Sequence, residues 1–497
     1  MGLTFVTPLL YALFDVPLVV GVVMVGVGYG ASLIILREVT RGALLAVVVT
    51  ATFGANIPLT DRAVFGVVGD LGAEIHLVYF PLVVITVATV TRNRLREAGM
   101  PMPGKLLGVF VLWILIAGLA IDPARPDAVV FGALFYLCAL ISFEKVRRVV
   151  ANELLYGRSV IMTLCLAGIG HTIIGLVQFV TQSGFGYTQL GEGSPVVTAT
   201  IGLGPMSGLA IGTYVSGFAR WELGTVLVLV VCVLVGWSLQ ARRSRALAAG
   251  LAAVLCATVV RLQGFDANRG GLLVGLATVV TVVLYTTIRR QGLPISNGPL
   301  RPSSLYAKFG RLLLFVVLVA ITLYPSSVSG QQRSGPELSA GRVESLVEAL
   351  GVISIPFFDA SSLLPRLEQT VQGLLIVRPH VLTGIGAANW KYVPEVTMRL
   401  HNAYLTLLVW TGLVGVVLYL CSLLLALRHG RALLRTVEDK LLYVGLIAGV
   451  VGFSASIFFR PFDRLTLLVP LWVVLGVLVG ESQRIDRLSN GSWEHDD

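Results

Sequence analysis

Charge is scarce in this sequence. Asp, Glu, Lys and Arg make up 13% of 497 residues, against 56% hydrophobic residues and a mean hydropathy of +0.85. No soluble globular domain keeps such a balance, so the chain is expected to be a polytopic membrane protein. Cysteine is equally sparse. Cys138, Cys165, Cys232, Cys256 and Cys421 are scattered through apolar runs, which fits neither a disulfide framework nor a zinc site. Walker loops, dinucleotide fingerprints and His-Glu-x-x-His elements are all missing, which disfavours an ATP-driven pump and a zinc protease. Gly26-Val-Gly28-Tyr-Gly30 has no strand before it and reads as a helix-packing surface. Asp266, Glu337, Asp359, Glu368 and Glu395 form no pair and no Asp-x-Asp cluster, so neither metal nor cofactor is expected.

What the chain has in abundance is apolar runs long enough to cross a bilayer, about 17 to 25 residues each. They fall near 17–36, 42–59, 75–90, 106–121, 128–142, 160–181, 224–239, 246–260, 271–287, 312–323, 402–427, 441–459 and 465–479. The first 36 residues hold one span or two, and the Gly-rich run 199–218 either crosses or folds back. The expected fold is all-α, a polytopic transmembrane helical bundle of roughly 12 to 14 spans with one large outer-face loop. The start shows no basic residues before its apolar stretch and no evident cleavage site, so a removed signal peptide is not expected. His76 and His171 are lone histidines in apolar spans, a setting that favours packed, hydrogen-bonded rings over ligands. Asp15 in the first run is unusual, but fits a bend between two short helices.

The net charge of +10 suggests nucleic acid until its placement is considered. Basic residues cluster in alternate short loops: Arg92, Arg94, Arg96 and Lys105; Lys145, Arg147, Arg148 and Arg158; Arg242, Arg243 and Arg245; Arg289 to Arg311; Arg428, Arg431, Arg435 and Lys440. Intervening loops, such as 61–74 and 122–127, are neutral or acidic. This is the positive-inside pattern of a multi-pass protein of the cell membrane. It divides the chain into an N-terminal transmembrane bundle (1–325), a large extracytoplasmic loop (326–400), C-terminal spans (401–480) and a cytoplasmic tail (481–497). No nucleic-acid partner is expected.

The loop 326–400 is the one long hydrophilic stretch, and it contains two segments of helical spacing. Val343, Leu346, Val347 and Leu350 form the first; Leu367, Val371, Leu374 and Leu375 form the second. Both read as short amphipathic helices, led by Gly341-Arg342 and Pro365-Arg366, with 353–364 between them. Lying as a solvated cap with the apolar face on the bilayer is an equally good account of the helices alone. After the second comes Arg378-Pro379-His380-Val-Leu-Thr-Gly384-Ile-Gly386, whose proline and glycines should end the helix in a tight turn. The loop closes on His401-Asn402-Ala-Tyr404-Leu405 and runs straight into a span containing Gly412-Leu-Val-Gly415.

The order of these elements resembles the O-antigen ligase and O-antigen polymerase superfamily: Arg366, Pro379 through Gly384-Ile-Gly386, Asn389-Trp390, His401-Asn402-Ala-Tyr-Leu405, then Gly412-Leu-Val-Gly415. Asn268-Arg269-Gly270-Gly271, at the outer end of a span, resembles the family's Ser-Arg-Gly element. The resemblance covers about 365–427 and is supported by Arg269 and by the large loop three spans from the end. It implies a membrane glycosyltransferase at the outer face, whose donor is a glycan on polyprenyl diphosphate and whose acceptor is a glycan or a lipid, in contact with membrane lipids. Two departures stand out. The family's earlier outer-loop arginine has no counterpart in 194–205, leaving Arg220 as the substitute, and the spacing from Pro379 to Gly384 is one residue longer than usual.

Chemistry agrees with that implication. A glycosyl diphosphate carries its own leaving group, so the enzyme must stabilise phosphate charge and deprotonate an acceptor hydroxyl. Arginine's planar fork suits the first task, and histidine, with an ordinary pKa of about 6.5, suits the second. His401, Arg269 and Arg366 are the expected catalytic residues. Each has a plainer reading: both arginines could snorkel to headgroups, and His401 could be an interfacial anchor. Arg342, whose helix begins like that of Arg366, competes with it; Arg399, Asn402, Tyr404 and Arg220 are the remaining substrate-binding candidates. Arg378 and His380 read as turn or surface residues. The runner-up class is a transporter or flippase of lipid-linked glycans or another amphiphile, which predicts midplane charges and paired broken helices. A structural or assembly role predicts that none of these positions matters.

Overall fold

The computed structural model describes residues 39–53, 56–58, 74–76, 78–91, 99–120, 126–181, 184, 222–241, 243–263, 266–290, 317–321, 360–387, 400, 402–436, 440–458 and 465–489. The helices are α1 (Val39–Thr50), α2 (Tyr79–Thr91), α3 (Met102–Ala120), α4 (Pro126–Ala151), α5 (Gly157–Thr181), α6 (Leu223–Gln240), α7 (Arg243–Leu262) and α8 (Asp266–Arg290), followed by α9 (Ala360–Val377), α10 (Ala403–Thr436), α11 (Lys440–Ile457) and α12 (Leu465–Ser489). Eight of these, α3 to α7 and α10 to α12, are long and apolar enough to cross a membrane. The fold is therefore an all-α polytopic bundle, as helices satisfy every backbone group internally where water is absent. The expected span at 17–36, the run 199–218 and the first amphipathic helix with Arg342 lie outside the described residues.

One short antiparallel ladder interrupts the helical pattern. Strand β1 (Asn56–Pro58) pairs with β2 (Glu74–His76), Ile57 opposite Ile75. The spans read at 42–59 and 75–90 are corrected accordingly: α1 stops at Thr50, and α2 begins only at Tyr79. His76 thus lies on a strand, buried between the rings of Tyr79 and Phe135. His171 is fully buried in α5, 3.0 Å from the Thr52 hydroxyl and edge-on to Phe53, a packed histidine as its apolar setting suggested.

Helix α12 is the axis of the bundle, buried at every residue from Leu465 to Ser482. A helix that is apolar all round has to be enclosed by others. Its partners are α4, along most of its length, and α10. Fully buried rings knit these elements together: Phe143 of α4 and Tyr419 of α10 each lie 5.8 Å from Trp472 of α12, while Phe110 of α3 meets Tyr136 of α4 at 4.9 Å. A second layer packs α11 against α6 and α8. There the two helices approach so closely that a Cβ on Gly236 of α6 would strike the backbone of Leu441 and Gly445, and one on Gly445 of α11 the carbonyl of Cys232.

Helix α12 continues through Gly480 without a break, past the boundary read for a cytoplasmic tail at 481. The reason is electrostatic. Glu481 is buried and accepts the first backbone N–H of α5, from Gly157, at 2.8 Å, while Arg484 donates to its other oxygen at 2.7 Å. Beside it Arg147, fully buried, grips Glu144 with two donors at 2.8 and 2.6 Å and reaches Gln483 at 2.6 Å. Arg147 had counted as a loop charge; it is a helix residue of α4 inside an ion-pair cluster that ties α4, α5 and α12 together. Glu481→Ala removes a helix N-terminal acceptor and one partner of a buried pair, and is expected to cost about 3 kcal/mol. Glu481→Gln keeps an acceptor for Gly157 and should cost less. Thermal unfolding of the purified protein tests this, and an unchanged melting temperature in Glu481→Ala would refute it.

Candidate functional site

The polar ends of five helices converge at the opposite end of the bundle, around the last two turns of α11. Helix α8 arrives with Gly271, where a Cβ would run into the Gly452 carbonyl and the Ser456 hydroxyl. One turn earlier on α8, Asn268 is fully buried and accepts a 2.9 Å hydrogen bond from Thr225 of α6. Gly224 of α6 backs onto the same amide and onto Gln263, which follows α7, so Arg269 sits half-buried where three helix ends meet. Glu222, buried just ahead of α6, adds a carboxylate that the sequence reading had passed over. A charged residue immediately preceding a wholly apolar span was the available signal.

Helix α10 reaches the same place from the other side. Asn402 is its N-cap: the side-chain oxygen accepts the backbone N–H groups of Tyr404 and Leu405, both at 3.0 Å. The Tyr404 hydroxyl donates to the Ser454 carbonyl of α11 at 3.1 Å, and its ring lies 6.1 Å from that of Phe458. Arg269 and the Asn402–Tyr404 pair, far apart in sequence, therefore flank one helix end. His401, Arg399 and Arg220 lie outside the described residues.

Arg366 lies within α9, which begins at Ala360 rather than at Pro365. Gly373 of α9 packs against Leu400 and Leu405, whose side chains a Cβ there would have to displace. Arg366 is two turns from that contact, about 10 Å along the helix axis. Arg378 and His380 occupy the 3-10 turn at the opposite end of α9. The helix stands beside the first turns of α10.

Beyond α9 the chain does something the sequence did not disclose. Helix α10 is broken at Gly412, with φ 64° and ψ −172°. The carbonyls that a continuous helix would pair internally are taken over from outside: Ile385 N–H donates to Val409 O at 2.8 Å, Gly386 N–H to Trp410 O at 3.0 Å, and the Trp113 indole of α3 to Thr411 O at 2.8 Å. In exchange, the amides of Leu413 and Val414 donate to the carbonyls of Val381 and Leu382, at 2.8 and 3.4 Å. The Gly-rich turn 381–386 therefore plugs the break with its own backbone. Gly384 and Gly386 both have positive φ, 71° and 88°, and a Cβ on Gly384 would lie 2.5 Å from the Thr411 nitrogen.

Among the described residues no three His, Cys, Asp or Glu side chains gather as metal ligands, and the five cysteines are free. Comparison with known proteins gives no matching family model and no matching curated protein.

Proposed function

We propose that this protein is a membrane glycosyltransferase that works at the outer face on glycans carried by polyprenyl diphosphate, of the O-antigen ligase or polymerase type. The observation that carries the reading is the convergence, around the end of α11, of the helix starts that hold two remote motifs: α8 with Asn268-Arg269, touching α11 at Gly271, and α10 with Asn402 to Tyr404, touching it at Tyr404. Arginine at a helix start beside a membrane suits a lipid diphosphate, and His401 immediately precedes the capped start of α10. Transfer needs no metal in this scheme, since arginines carry the phosphate charge and the diphosphate leaves as it is.

The break at Gly412 speaks for the second reading, a transporter, because discontinuous helices bind cargo through exposed backbone groups. Here the carbonyls of residues 409–411 and the amides of 413 and 414 are already bonded within the protein. That favours the enzyme. Removal of the protein from cells provides the test. Accumulation of single lipid-linked units is the outcome for a polymerase and of long lipid-linked chains for a ligase, in both cases accessible from outside. Accumulation confined to the inner face would instead support a flippase, and no change in lipid-linked glycan would overturn both readings.

A further inference from the structure

We propose that the turn after α9 is a membrane wedge: Val381 and Leu382 insert among the acyl chains of the leaflet at the Asn402 end, and Arg378 reaches the phospholipid phosphates above them. The depth follows from α10. Residues 402–427 carry no charge and end at Arg428, the first of a basic cluster. Counted back from Arg428 at 1.5 Å per residue, a hydrocarbon thickness of about 30 Å ends near Leu408, which puts the leaflet boundary there. The exchanged backbone bonds then fix the turn against that ruler. Val381 and Leu382 lie at the level of Leu413 and Val414, about 8 Å inside the boundary.

Three further features agree with that depth. Val371, Leu374, Leu375, Val381 and Leu382 are all exposed, Leu382 by 61%, although each is a large apolar side chain. This face continues directly into the exposed stripe Leu413, Val414 and Val417 of α10, which a spanning helix presents to lipid. Arg378 shares the face of Leu374 and Leu375 by helical spacing and is exposed. Gly373 beside Leu405 and Val381 bonded to Leu413 bracket its level near Trp410, about 3 Å inside the boundary and within reach of headgroup phosphates for a side chain that snorkels. The backbone of the wedge is tolerated at that depth because α10 pairs it.

Spin-label accessibility in the full-length protein decides the matter. In a Cys421→Ser background, nitroxides at Val381→Cys and Leu382→Cys are measured in phosphatidylcholine–phosphatidylglycerol nanodiscs, with Val417→Cys as the lipid-facing reference and Leu375→Cys as the shallow one. Each label replaces a side chain and leaves the backbone exchange in place. The expected result is that oxygen relaxes the labels at 381 and 382 more than a water-soluble nickel chelate does, with 382 deeper than 375 and shallower than 417. Arg378→Glu should move the 382 label outward. Nickel-dominated relaxation at both 381 and 382 would overturn the wedge, as would shielding from both reagents, which would mean that protein covers this face. An unmoved 382 label in Arg378→Glu would overturn the phosphate contact.

Discussion

Gly412→Val is expected to leave little folded protein, with a loss above about 3 kcal/mol whichever way the chain responds. Its φ of 64° and ψ of −172° belong to a region essentially reserved for glycine, and a Cβ there would overlap the carbonyl of Leu382. The chain has one escape, which is to heal the helix. Leu413 N–H would then return to Val409 O, and the turn would be expelled. That strands the amides of Ile385 and Gly386 and the carbonyls of Val381 and Leu382, groups now satisfied by α10. Each buried backbone group left without a partner costs about 1–3 kcal/mol. Gly384→Val attacks the same contact from the turn side, against Trp410 and Thr411, and should be as severe. Trp113→Phe removes a single donor from Thr411 and should cost about 1–3 kcal/mol while sparing the fold. Chromatographic homogeneity and thermal unfolding of the three variants rank them. A Gly412→Val protein that is monodisperse and melts like the parent would show that the break carries no weight.

The bundle itself was legible because membrane spans are written in composition. A run such as 465–479 has one physical destination, and α12 occupies it. Turn chemistry was legible for the same reason: Pro379, Gly384 and Gly386 announced the end of α9, and two of them take the positive φ that glycine allows. What failed to show in the sequence are features created by contact. Gly412 stood inside a run read as one continuous span, because a glycine in an apolar run does not by itself mark a break. Only the arrival of the 381–386 backbone makes the break affordable. Arg147 and Glu481 looked like loop and tail charges because burial of a charge depends on a partner supplied by another helix. The spacings Glu144-x-x-Arg147 and Glu481-x-x-Arg484, three apart on one helix face, were the available hint. Asn402, expected to bind substrate, has in addition a structural duty, its amide oxygen capping α10. Position beside a catalytic candidate and a structural duty are the same pattern at sequence level.

On the proposed reaction, His401→Ala and His401→Gln are both expected to lose roughly 10²–10⁴-fold in rate, the usual worth of a general base. Binding of the lipid-diphosphate donor should hardly change. Glutamine is the informative substitution, because it keeps interfacial hydrogen bonding and removes only the titratable nitrogen. Arg269→Lys and Arg366→Lys should be damaging in a different way. A point charge cannot reproduce a bidentate fork on phosphate oxygens, so donor binding weakens together with turnover. Asn402→Asp supplies the control for disturbance of the helix start: its carboxylate still accepts the amides of Tyr404 and Leu405, so it should retain most activity if capping is the residue's task. If the arginines merely snorkel, lysine restores function at both positions, since either cation reaches the headgroups. Donor binding and turnover, measured separately on purified protein, keep these cases apart. Parental rates in His401→Gln and in both lysine variants would remove the chemical basis of the site, while the helix ends around α11 would still stand as packing.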